Sequence, residues 1–143
     1  MAKASVTWFG GKKFVGTDST NHSVVLSTPD EGIGMKPSDM MLVALASCTS
    51  VDVVEILKKK RLDLRGLEVG VTAEQDAEPP WTFRKIHLTY TISGEGIKPK
   101  DAEQAIQLSQ EKYCSVAATV RATAEITTEF EILEEEPAPA GLN

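Results

Sequence analysis

Cys48 and Cys114 are the only two cysteines in this 143-residue chain, and they are the residues best suited to chemistry. Each lies in an apolar stretch of helical character, Met40-Met-Leu-Val-Ala-Leu-Ala-Ser-Cys48 and Gln110-Glu-Lys-Tyr-Cys114-Ser-Val-Ala. Their separation of 66 positions excludes a C-x-x-C motif and a metal knuckle. They form a redox pair only if the fold brings two distant helices together. An attacking thiol must ionise near neutral pH, and an ordinary one has a pKa of ~8.5. Cys48 falls about three turns inside its helix, too deep for the N-terminal dipole to help much. A cation must then come from elsewhere, and Lys12, Lys13, Arg84 and Arg121 are the candidates. Asp52, one turn beyond Cys48, can face it. As an anion it opposes ionisation unless it orders a cation nearby. The competing reading is that both cysteines are inert core residues, because free cysteine is among the most buried types.

Other chemistries fit less well. Cys48, Cys114, His22 and His87 supply the residue types of a zinc set, but no two of them have ligand spacing. His87 falls on the outer face of a strand, opposite Ile86 and Leu88, and His22 reads as a turn residue. Ser47, Thr49 and Ser50 flank Cys48 without a partnered His and Asp, so no hydrolase triad is visible. No cofactor motif is present.

The elements that must position the cysteines follow from periodicity. Ala4–Phe9, Phe14–Thr17 and Ser23–Ser27 read as three short strands separated by turns at Gly10-Gly11 and Asp18–His22. Pro37 suits a first helical position and Asp39 the first turn. No Gly or Pro interrupts until Gly66, so a helix from about Pro37 to Arg61 is expected, roughly 36 Å long. Its first half is apolar nearly all round, as in a helix enclosed on most faces. Alternation predicts strands over Leu67–Gln75 and Thr82–Ile92, the latter with Ile86, Leu88, Tyr90 and Ile92 on one side. A second helix is expected from Ala102 to Arg121, with Ala102, Ala105, Ile106 and Ser109 inward. A last strand covers Ala124–Leu133. The order βββ-α-ββ-α-β describes an α+β domain with mostly antiparallel strands over residues 1–133. An acidic, Pro-rich tail follows over 134–143, of a composition that does not fold alone. One sheet covers one face of the long helix, and the remaining faces call for a second copy of the chain, so a homodimer is expected.

Bulk properties exclude several classes. Fifteen Lys and Arg against 21 Asp and Glu give a formal charge of −6, wrong for a nucleic-acid binder. The basic run Lys58–Arg61 ends a helix, where it complements the dipole. The longest apolar run, about nine residues from Met40, is far short of the ~20 of a membrane span. No apolar leader follows Met1, and two cysteines are no disulfide scaffold, so cytoplasmic residence is expected.

At this point the residues resemble a known family. Lys36-Pro-Ser-Asp-Met-Met-Leu-Val-Ala-Leu-Ala-Ser-Cys48 is similar to the Pro-x-Glu-Leu-Leu-x-Ala-Leu-Ala-x-Cys helix of the OsmC/Ohr proteins, osmotically inducible protein C-like and organic hydroperoxide resistance proteins. Glu111-Lys-Tyr-Cys114-Ser-Val-Ala resembles that family's second cysteine segment, and Trp8…Phe14-x-Gly16…Val24-x-Leu26 fits its N-terminal pattern. The resemblance implies an intertwined homodimer with the cysteine helices packed centrally. It also implies a thiol peroxidase for organic hydroperoxides, with Cys48 peroxidatic, Cys114 resolving, and a dithiol reductant such as the lipoyl groups some relatives use. In the best-defined peroxidase branch an early-loop arginine, held by a glutamate, activates the cysteine. Here Lys12 and Lys13 stand in the early loop, no arginine precedes Arg61, and Ser38 stands ten before Cys48. Asp39 beside it matches the acidic residue of other branches. The resemblance is therefore to the general OsmC-like branch. The alternative it leaves is a non-enzymatic, stress-related dimer holding a small hydrophobic ligand in an interface pocket, which Trp81 could line.

Overall fold

The computed structural model describes residues 1–134, and the acidic tail predicted from the sequence lies almost wholly outside them. The element order is β1 (Ala4–Trp8), β2 (Lys13–Asp18), β3 (Ser23–Ser27), α1 (Pro37–Lys59), β4 (Asp63–Gln75), β5 (Phe83–Glu95), α2 (Pro99–Leu108), a π-helical turn (Ser109–Tyr113), α3 (Ser115–Val120) and β6 (Glu125–Leu133). The chain divides into two compact units, Met1–Val43 and one beginning at Ala44.

In the first unit, β1, β2 and β3 form an antiparallel meander in the order β1-β2-β3. Gly10 and Gly11 make its first turn at φ 108° and 56°, and the Trp8 indole donates to the Gly11 carbonyl at 2.8 Å. Asp18 organises the second turn by accepting from the backbone N–H groups of Thr20 and His22, each at 3.0 Å. The following loop returns along β3, where Met35 exchanges backbone bonds with Val25 and Ser27 at 3.0 and 3.1 Å. Gly34 permits that approach, because a Cβ there would lie 2.8 Å from the Val25 carbonyl. Pro37 then opens α1 as the sequence predicts.

The second unit holds the sheet β4-β5-β6. The β4–β5 hairpin is antiparallel, with Ile86, Leu88, Tyr90 and Ile92 fully buried along one face of β5, as alternation predicts. β6 runs parallel to β5, the one departure from antiparallel pairing among the named strands. The intervening helices return the chain to the end of the sheet where β5 began, as a crossover must. Lys60, just past α1, pairs with Asp101 at 3.2 Å and donates to Gln104, joining that end of α1 to the first turns of α2.

One helical expectation is corrected. The second helix is not continuous from Ala102 to Arg121. It opens into a π turn at Ser109, reaches an extended residue at Cys114 (φ −80°, ψ 104°), and restarts as α3. Apolar periodicity continues across the break, which is why the sequence does not reveal it. Within one chain α1 is fully buried only along Leu45, Thr49, Val53 and Leu57, the i, i+4 stripe of one face. By length and composition alone α1 could cross a membrane, and only 22% of its most apolar stretch is buried in the chain. Its Thr49 and Asp52 are hydrogen-bonded to other elements of the second unit, which marks it as a core helix.

Candidate active site

Cys48 and Cys114 meet in the second unit. Cys48 is half-buried on the interior of α1, where helix geometry fixes its backbone, and Cys114 is buried at 2% exposure. Both are free thiols, near enough for the Cys48 sulfur to act on Cys114 as a hydrogen-bond and charge neighbour. Cys114 also caps α3, its Sγ accepting from the Ala117 N–H at 3.3 Å. Burial pushes the Cys114 thiol up to about 11. The Ala117 N–H pulls the other way, and Cys48 adds to the rise. Cys114 is thus held as a neutral thiol at neutral pH.

Beneath the pair runs a chain of buried polar side chains. Thr49, next to Cys48, lies 2.7 Å from the Tyr90 hydroxyl of β5 and 2.8 Å from the Ser109 hydroxyl of the π turn. Ser109 donates to Asp52 at 2.8 Å, and the Gln110 amide donates to Tyr90 at 3.2 Å and more weakly to Thr49 at 3.4 Å. Arg121 donates to the Gln110 side-chain oxygen at 3.4 Å. One proton per hydroxyl fixes the direction. A carboxylate only accepts, so Ser109 gives its proton to Asp52 and must accept from Thr49. Thr49 in turn accepts from Tyr90, which accepts from Gln110. Every donor points from the Arg121 cation toward the Asp52 anion, an alignment in which neighbouring bonds polarise one another. Burial raises the Tyr90 phenol above its ordinary value, opposed by its bonds to Thr49 and Gln110, with Cys114 and Asp52 adding to the rise. A buried hydroxyl stranded by losing its partner costs about 1–3 kcal/mol, so the chain stands or falls together.

Asp52 therefore turns its carboxylate to Ser109. The four candidate cations separate clearly. Lys12 pairs with Asp30 at 2.9 Å, Lys13 lies over the Phe9 ring at 5.6 Å, and Arg84 is bound to Asp76 at 3.0–3.1 Å. Arg121 is the one bonded to the buried chain. Asp39 sits in the first turn of α1, in the first unit. His22 is bonded to Thr20 in the β2–β3 turn, and His87 contacts Thr127 and Glu129 on β6. Trp81 is exposed at the tip of the β4–β5 hairpin. Among the described residues no group of three or more His, Cys, Asp or Glu side chains is placed to hold a metal ion.

Thr49, Tyr90, Ser109 and Gln110 carry the site's polar framework without having been singled out for it in the sequence. A signal existed for three of them. Thr49 interrupts the stripe Leu45, Val53, Leu57. Tyr90 stands in the alternation of Leu88 and Ile92. Ser109 continues the inner face of Ala102, Ala105 and Ile106.

Two free cysteines, one partly buried on a long apolar helix and one buried after a helical break, form the site. The OsmC-like protein family model matches residues 29–129, a span that includes both cysteines. The chain belongs to the OsmC-like protein family. Protein YhfA of Escherichia coli K12 is 34% identical over 131 residues, covering 92% of this chain and 98% of its own length. A hypothetical protein of Aquifex aeolicus VF5 superposes with a TM-score of 0.80 at 27% identity, covering 94% of this chain and 98% of that one. The organic hydroperoxide resistance protein OhrB of Bacillus subtilis superposes at 0.62 with 17% identity, covering 92% and 98%, and so shares the fold. This OsmC-like chain has the mixed α+β architecture of these neighbours.

Proposed function

We propose that this OsmC-like protein is a thiol-dependent peroxidase for organic hydroperoxides, acting in oxidative stress defence. The observation that carries the reading is the partly buried Cys48 thiol, near enough to the buried, protonated Cys114 to influence it. The fold it shares with an organic hydroperoxide resistance protein supports the choice of substrate. Cys48 as thiolate attacks the outer peroxide oxygen, the O–O bond breaks, and the alkoxide takes a proton to leave as alcohol. The resulting Cys48 sulfenic acid is attacked by the Cys114 sulfur. An S–S bond forms, the S–O bond breaks, and the departing hydroxide takes up the Cys114 proton as water. A dithiol of the lipoyl class then reduces the disulfide by two exchange steps. Asp39 is assigned the role of the family's acidic residue on this helix, orienting a cation. The reaction needs no metal or organic cofactor, and a cytoplasmic setting keeps the resting pair reduced. Purified protein supplied with a dithiol should consume cumene hydroperoxide over many turnovers. No consumption with any dithiol tried would refute the enzymatic reading.

The same reading includes a homodimer. Val43 and Val51 on α1 are about half exposed, and Val6, Trp8, Phe9 and Ile33 of the first unit are open to solvent in the single chain. Apolar surface of that extent calls for a protein cover. Sedimentation equilibrium at micromolar concentration should return twice the 15.5 kDa chain mass, and a monomer would contradict it.

One observation favours the second reading, a ligand-binding protein. An open cavity of about 810 Å³ between α2, the π turn and β6, within one chain rather than at an interface, has Ile106, Ile126 and Phe130 in its walls beside the charged Glu103, Glu111, Arg121 and Glu129. In that case a hydrophobic ligand would bind equally well to the wild type and to a variant lacking both cysteines, and peroxide would not be consumed.

A further inference from the structure

We propose that the π turn Ser109–Tyr113, pinned at its start by the Ser109 side chain and by Arg121 on the adjoining Gln110, is the device that positions Cys114 against Cys48. It deepens the two-cysteine reading above and rests on it. In a regular α-helix the Cys114 N–H would bond to the Gln110 carbonyl. Here it bonds instead to the Ser109 carbonyl at 2.8 Å, the wider step of a π turn. The extra residue rotates the succeeding residues about the helix axis by about 100°. It also strands the Gln110 carbonyl, which the Arg121 guanidinium fills at 2.6 Å from the end of α3.

Ser109 ties this turn to the other cysteine. Its hydroxyl meets Thr49 at 2.8 Å, and Thr49 is covalently next to Cys48. Two hydrogen bonds therefore connect the two cysteine backbones, Thr49 Oγ1 to Ser109 Oγ and Cys114 N–H to Ser109 carbonyl. Asp52 accepts the remaining Ser109 proton and fixes the direction of the first bond. Ser109 and Arg121 are positioning residues, since neither is assigned contact with the reacting sulfurs.

The test is the equilibrium between the dithiol protein and oxidised dithiothreitol. Cys48 and Cys114 lose two electrons and two protons to the cyclic disulfide of dithiothreitol, and their own S–S bond forms. No hydroperoxide is involved. Ser109→Ala and Arg121→Gln should each lower the equilibrium constant for the protein disulfide by about tenfold or more, because misplacing a reacting group is costly. Thr49→Ser, which keeps the hydroxyl, should stay within about threefold. Arg121 is exposed, so its variant folds even if the Ser109 variant does not. Ile92→Val, in the core but outside this path, should reduce stability and leave the constant unchanged. Constants within about twofold of wild type for both Ser109→Ala and Arg121→Gln would overturn the inference, as would an equal drop in Ile92→Val. A wild-type pair that never oxidises would overturn the two-cysteine reading and this inference with it. Normal oxidation by dithiothreitol without peroxide consumption would overturn the substrate assignment alone.

Discussion

Cys48→Ser is expected to bring thiol-dependent hydroperoxide consumption down to the uncatalysed rate, a loss of about 10²-fold or more, while Cys114→Ser consumes one equivalent per chain and stalls. The asymmetry follows from where the two thiols sit. Cys48 keeps some exposure in the single chain, and Cys114, just past the π turn, is buried. A serine hydroxyl at position 48 stays un-ionised at neutral pH and does not attack the peroxide. With Cys114 removed, the sulfenic acid on Cys48 has no internal thiol to condense with, so it persists after the first equivalent. Dimedone should label Cys48 in Cys114→Ser after one equivalent of hydroperoxide and should label little in the wild type. Equal activity losses without a trapped sulfenic acid would contradict the assigned order.

Alkylation of the reduced protein at pH 8 should be confined to Cys48. Cys114 is buried, and its pKa of about 11 leaves roughly one thiolate in a thousand at that pH. Its labelling by iodoacetamide should require denaturant, a rate difference of about 10³-fold between folded and unfolded protein once exposure is included. The same rise links to stability. A folded-state value raised above the ordinary thiol value contributes stability that is fully present below that ordinary value and is lost as pH climbs through about 11. Across that window the unfolding free energy of the wild type, measured by urea titration, should fall more steeply than that of Cys114→Ala, by about 1.4 kcal/mol per pH unit at most. Tyr90 also titrates in alkali, its phenol raised chiefly by burial, and the comparison with Cys114→Ala removes most of its contribution because Cys114 is a lesser cause of that rise. Rapid labelling of Cys114 in the native protein would contradict a buried resolving thiol.

Most of the fold was legible because its cues are local. Pro37, Asp39 and the absence of a breaker before Gly66 mark α1, and alternation through Ile86, Leu88, Tyr90 and Ile92 marks β5 and its buried face. Strand direction is not local. The side chains of β6 alternate identically whether it runs with β5 or against it, so its parallel pairing was invisible. The break at Ser109 was hidden for a related reason. A π turn adds one residue to one turn, and the apolar pattern absorbs the slip. The cysteines announced themselves by type and flanking motif, but their polar support did not. Thr49, Tyr90 and Ser109 are single polar residues in three apolar stripes far apart in sequence, and only the fold shows that they converge. The cation beside that support is Arg121, one of four that sequence position alone could not rank.

The most direct measurement is mass spectrometry of both cysteines after one equivalent of cumene hydroperoxide and no reductant. The account predicts a chain lighter by two hydrogens, with Cys48 and Cys114 joined in one disulfide. Two free thiols after exposure, or oxidation at Cys114 with Cys48 untouched, would contradict it.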